Sequence, residues 1–193
     1  ENTGMDVFRG TTEGIDLDQK YLRCNTIDKV KSIVKSMFDD TIKKLFSHWY
    51  QKGLVEREDL FRFFSFYLCL NILMAKLSGK DQDFEMKNWI KEDNNSLKKV
   101  LLKFVEEKSS VEVLTKLMEM GPVRDGRVGK ENNIAKMKSI DDLDGIIDVI
   151  YMIRCNLFHG RKDMMESRDA ELIYLSMPIL KGWMKKVKKD FLL

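Results

Sequence analysis

The chain has 193 residues, of which 44% are hydrophobic and 34% charged, and its formal net charge is +3. That balance excludes a disordered chain, and the length suits one soluble domain that can bury a core without disulfides or metals. A surplus of three charges does not by itself speak for nucleic-acid binding, so local clustering has to decide that question.

Two prolines and eleven glycines favour long helices over a strand-and-turn architecture. The cysteines Cys24, Cys69 and Cys155 are widely spaced and form no C-x-x-C pair. A zinc site or disulfide framework is therefore not expected, and a reducing cytoplasm is the simplest location. No secretory leader is read at the start of the chain, and its opening at Glu1 is compatible with a piece of a longer protein.

Residues 1–22 show little periodicity and are read as an N-terminal arm, with residues 23–193 forming a single helical domain. Val30, Ile33, Val34, Met37, Phe38, Leu45, Phe46 and Trp49 recur at helical spacing and predict an amphipathic helix from about Asp28 to Tyr50, closed by Gly53. A second helix is expected from about Glu56 to Leu77, ended by Gly79. It contains FFSFYLCLNILMA between Arg62 and Lys76, which is short for a membrane span and fits a core helix. Shorter helices are expected over 82–91 and within 95–120, punctuated at Ser109–Ser110.

GPVRDGRVGKENN, residues 121–133, reads as a loop, and its Arg124, Arg127 and Lys130 fit a solvated loop better than a binding site. Ser139 followed by Asp142 looks like the cap of the next helix. A final helix is expected from about Asp163 to Phe191, kinked or split at Pro178. Lys181, Lys185, Lys186, Lys188 and Lys189 on it fit a solvated face near a helix C-terminus. The fold class is all-α, a helical bundle with a few extra short helices.

The chemistry-bearing stretch is RCNLFHGRK, residues 154–162. Arg154 falls on the apolar stripe of Leu143, Ile147 and Ile150, where a charge needs a partner such as Asp148 or Asp169, water, or a functional cleft. Five residues along a helix, roughly 140° away, stands His159. One straight helix cannot aim both side chains at one point. Either the chain turns after Phe158, helped by Gly160, or the groups converge from two copies across a two-fold axis. Asn156 shares a face with His159 if the turn stays helical. Cys155, four residues before His159, is read as a buried thiol, with a nucleophilic or metal-binding role the weaker alternative. His48, in LFSHWY, is read as structural.

YMIRCNLFHGRK, followed by SRDAEL and a long terminal helix, resembles the HEPN superfamily, whose signature is an arginine, four to six residues, and a histidine. Arg154 and His159 match it with four residues between. The place after the arginine, polar in many members, holds Cys155, with Asn156 one position later. The motif resemblance covers roughly residues 140–192.

The resemblance implies a HEPN-like bundle that dimerises through the motif region. In many members it implies an endoribonuclease that cleaves RNA without metal or other cofactor. His159 would move the proton of the attacking 2′-hydroxyl, Arg154 would hold the phosphorane oxygens, and Asn156 would orient His159 or donate to the phosphate. Leu157 and Phe158 would serve packing and the dimer contact, with base stacking by Phe158 as an alternative. Arg161 and Lys162, beside the motif, are the expected RNA contacts. Toxin–antitoxin or antiviral settings, and an antitoxin or larger-protein partner, are further implications. A non-catalytic module binding RNA, nucleotide or protein is the rival reading.

Overall fold

The structure is a computed structural model and describes residues 40–130, 132–158 and 167–192. The arm expected at residues 1–22 and the first part of the first predicted helix lie outside the described residues. Seven α-helices run through the described part, which is all-α apart from one two-stranded ribbon.

Helix α1 covers Asp40–Val55 and α2 covers Asp59–Ser78. The expected stop at Gly53 is not there. Gly53 is buried inside α1, and a Cβ on it would sit 2.9 Å from the Phe66 ring of α2. It serves close approach between two helices, not termination. Gly79 does end α2, in the left-handed conformation at φ 66°, with its N–H bonded to the Ala75 carbonyl at 3.0 Å.

Helix α2 is long and apolar enough, by length and composition, to cross a membrane. In the fold it packs against α1 on one side and the last helix on another, and Phe63, Phe66, Leu70, Leu73 and Leu77 are buried. An all-round apolar sequence is what such a central position requires.

The middle of the chain forms α3 (Asp83–Ile90), α4 (Ser96–Val105), a single 3₁₀ turn (Lys108–Ser110) and α5 (Val111–Glu119). Asn95 caps α4, its side chain accepting from the N–H groups of Leu97 and Lys98. The segment read as a plain loop contains strand β1 (Val123–Arg124), paired antiparallel with β2 (Ile134–Ala135). Two-residue strands carry too little alternation to register as a period.

Helix α6 covers Leu143–Phe158. Its cap is Asp142 rather than Ser139: Oδ1 accepts from the Gly145 N–H at 2.9 Å and Oδ2 from the Lys138 N–H at 2.9 Å. Helix α7 covers Ser167–Val187 and passes through Pro178 without splitting, and a π-helical turn (Lys188–Leu192) follows. Pro178 faces solvent, and the next residues Ile179 and Leu180 are fully buried, so burial of the flanking turns holds the helix together across the lost hydrogen bond.

Helix α7 packs against α2, α4 and α5. Trp183 is wholly buried on it, and the neighbouring Gly182 lies so close to Phe104 of α4 that a Cβ there would come within 2.2 Å of the ring. Gly182→Ala gains about 1 kcal/mol of helix propensity but forces the ring to move, at a cost of about 1–3 kcal/mol. We expect a net loss of stability and a thermal midpoint lower by a few degrees, measured by circular dichroism.

Candidate functional site

The C-terminal half of α6 carries Arg154 and Asn156, and the two side chains turn to different partners. Two residues apart means about 200° around the helix axis, so they occupy opposite faces.

Arg154 turns toward α2 and α3. Its guanidinium pairs with the carboxylate of Asp83, the first residue of α3, and not with Asp148 or Asp169. The second Asp83 oxygen accepts from Asn71 Nδ2 of α2 at 2.9 Å. The guanidinium also lies over the Phe158 ring at 4.3 Å and near the Tyr67 ring at 5.7 Å. Arg154 keeps 20% and Asp83 21% of their side-chain surface, so the pair is sheltered but still reachable from solvent. Arg154 Nε and Tyr67 Oη are buried without a hydrogen-bond partner among the described residues. Burial pushes the Tyr67 phenol well above its ordinary range, partly opposed by the Arg154 charge, so it stays protonated.

This pair is one rung of a ladder that α6 makes with α3, with Lys91 just after it and with Lys98 at the start of α4. Lys87 and Lys91 both donate to Asp148, at 2.8 and 2.7 Å, and Lys98 pairs with Asp144 at 3.1 Å. Lys87 also lies over the Tyr151 ring. As numbering rises along the α3 side it falls along α6, so the rungs set an antiparallel register. Burial raises the Asp148 pKa, but the two lysine bonds outweigh it and hold the carboxyl below its ordinary value. Asp83 was not singled out in the sequence, because acids are frequent and only the fold shows which one meets Arg154.

Asn156 turns toward the ribbon. It is 3% exposed, and both ends of its amide are engaged: Nδ2 donates to the Arg124 carbonyl and Oδ1 accepts from the Gly126 N–H, each at 2.8 Å. Arg168, at the start of α7, donates to the carbonyls of Met120 at 3.1 Å and Pro122 at 2.9 Å. The ribbon is thus tied to both helices that flank the segment bearing His159. Within it Asp125 is buried and held by Arg127 through paired hydrogen bonds, the shortest 2.5 Å. That guanidinium brings the Asp125 carboxyl down to about 2.

His159, Arg161 and Lys162 lie outside the described residues. Phe158 is 56% exposed and stands edge-on to Phe64 at 5.0 Å, while Leu157 packs on the core. Cys155 and Cys69 are buried free thiols, and burial pushes the Cys69 thiol up to about 12. His48 is exposed beside Trp49 on α1. Lys186 pairs with Glu107, and Lys188 lies over the Tyr50 ring, so part of the basic face of α7 is spent on packing. Among the described residues no three His, Cys, Asp or Glu side chains lie close enough to hold a metal ion. No family model, curated protein or solved structure matches this chain.

Two stability outcomes follow from these contacts. Asp83→Ala strands a sheltered guanidinium and should cost about 1–3 kcal/mol in a denaturant melt. Adding Arg154→Met should restore part of that loss, since a stranded charge costs more than an apolar replacement of the pair. Asn156→Asp keeps the size but sets a carboxylate against the Arg124 carbonyl. We expect faster hydrogen exchange at the Gly126 amide and a loss of about 1–3 kcal/mol.

Proposed function

We propose that this chain is a HEPN-type endoribonuclease, acting on single-stranded RNA without metal as a cytoplasmic homodimer whose cleft forms at the motif region. The observation that carries the reading is the placement of Arg154. Its guanidinium is held, sheltered yet accessible, on the last turn of α6, the helix that His159 follows in the chain.

In the reaction the ribose 2′-hydroxyl attacks the adjacent phosphorus, and its proton passes to the His159 imidazole, whose unperturbed pKa of about 6.5 suits transfer near neutral pH. The bond to the 5′ oxygen breaks, that oxygen takes a proton from water, and a 2′,3′-cyclic phosphate remains; the imidazolium then returns its proton to solvent. Arg154 stabilises the negative oxygens of the phosphorane. Asp83 and Asn71 act as positioning residues, fixing the guanidinium plane before substrate arrives. The doubly bonded amide of Asn156 suits positioning of the ribbon rather than contact with phosphate. Arg161 and Lys162 supply contacts to the RNA backbone. An antitoxin or larger-protein partner would regulate the cleft.

His159→Ala and Arg154→Ala should each lower cleavage of a fluorogenic single-stranded RNA by at least 100-fold, on the order expected for losing a general base or a charge-stabilising donor. Both variants should remain dimers by light scattering, and EDTA should leave the wild-type rate unchanged. Undiminished cleavage by a rigorously purified His159→Ala, Arg154→Ala double variant would sink the assignment.

One observation favours a second reading. Arg154 is already neutralised by Asp83 of its own chain, as suits a non-catalytic module for RNA, nucleotide or protein. Wild-type protein that binds RNA but leaves it intact over hours would select that reading.

A further inference from the structure

The ribbon segment from Arg124 to Lys138 carries five bases, Arg124, Arg127, Lys130, Lys136 and Lys138, against two acids, Asp125 and Glu131. Its surplus of three equals the net charge of the entire chain. Asp125 is buried and spent on Arg127. Arg124, Lys130, Lys136 and Lys138 are exposed, and their side chains enter no ion pair among the described residues. Among the described residues outside the ribbon, exposed lysines without an ion pair, such as Lys44, Lys181, Lys185 and Lys189, lie on α1, α7 and the π-helical turn, and other lysines are spent on acids. Lys87, Lys91, Lys98, Lys103 and Lys186 are all paired with acids.

The ribbon's position is as particular as its charge. It follows the end of α5, where Arg168 at the start of α7 holds the Met120 and Pro122 carbonyls just before it, and is itself gripped by Asn156 near the end of α6. Its return is fastened at the α6 cap, where Asp142 accepts from the Lys138 N–H. A Cβ on Gly145 would come within 2.8 Å of the Lys136 carbonyl, so the ribbon's exit lies flush on the first turn of α6. Unpaired bases are thereby carried on a fastened hairpin, whose ordering cost is met during folding rather than at binding.

We propose that this ribbon is a phosphate-backbone binding arm for single-stranded RNA, with Arg124, Lys130, Lys136 and Lys138 as its contacts and Asn156 as the residue that fastens it to the motif helix. The choice of RNA rests on the proposed function; the arm itself rests on charge and fastening. Bases carried on exposed strands and turns contact phosphate without reading sequence, so the arm supplies affinity and a salt dependence rather than a cleavage preference.

The test is a binding measurement, so it separates the arm from the cleavage reaction. Full-length protein carrying His159→Ala, which protects the RNA if the nuclease reading holds, is titrated into a fluorescein-labelled single-stranded oligoribonucleotide at several salt concentrations, with anisotropy as readout. The arm variant adds Arg124→Gln, Lys130→Gln, Lys136→Gln and Lys138→Gln. The control variant instead adds Lys44→Gln, Lys181→Gln, Lys185→Gln and Lys189→Gln, which removes the same charge from exposed places on α1, α7 and the π-helical turn.

The arm variant should bind at least about 10-fold more weakly near 0.1 M salt. Its salt slope should be shallower by about 3, since each lost contact to a single strand removes about 0.7. The control should change far less, and thermal melts should match for all three proteins. Equal losses in both variants, an unchanged affinity in the arm variant, or no RNA binding by the parent would each overturn the proposal. So would equally tight, arm-dependent binding of labelled poly-glutamate, which would mark the arm as a site for acidic protein. RNA binding through the arm by wild-type protein that never cleaves would leave the arm standing and remove the nuclease.

Discussion

The ion-pair ladder that α6 makes with α3 and the residues following it is the constraint on which the placement of Arg154 depends. Apolar packing alone leaves a helix free to slide or rotate by small amounts, because dispersion is nearly indifferent to register. Charges are not indifferent. Sliding α6 by one turn would part Asp148 from two lysines and Arg154 from Asp83, and would strand sheltered charges on both sides. The ladder adds little net stability, since each rung also loses hydration, but it makes one register much better than its neighbours. That register puts the end of α6 where it is, and with it the entry to the segment bearing His159.

Once α6 is set, its two faces divide the work. The face of Arg154 meets the aromatic and polar groups of α2 and α3, and holds a cation in a fixed plane. The face of Asn156 meets the ribbon and holds backbone rather than ligand. An amide suits that task because it presents a donor and an acceptor side by side, which is what one carbonyl and one N–H of a ribbon demand. An aspartate lacks the donor and an alanine lacks both. Helix α6 thus serves as a spine, with a held cation on one side and a basic hairpin on the other.

Much of the helical framework was legible in the sequence. The stripe through Leu143, Ile147 and Ile150, the glycine stop at Gly79 and the break near Ser110 all recur in the fold, because they depend on local period and local backbone preference. What escaped depends on partners distant in the chain. Gly53 looked like a terminator, since its use is visible only when Phe66 lies against it. The ribbon looked like loop, since its order comes from Asn156 and Arg168 rather than from its own residues. For Arg154 the sequence left a partner, water or a cleft open and offered Asp148 and Asp169 as acids; the partner is Asp83, which lies 71 positions earlier with nothing in its neighbourhood to mark it out.

The neutralisation of Arg154 does not by itself count against a role in holding phosphate. A carboxylate at its fork occupies some of the five N–H donors of a guanidinium and leaves others for a second anion. With Nε buried and one terminal nitrogen turned to Asp83, the proposed function requires a phosphate to meet the N–H groups that remain. The attraction for a phosphate is lowered by the nearby acid, but the orientation is already settled, so less entropy is lost on contact. A free arginine would bind phosphate more strongly in the ground state and in more geometries. A held one favours the single geometry its neighbours impose, and selective stabilisation of one geometry is what separates catalysis from binding.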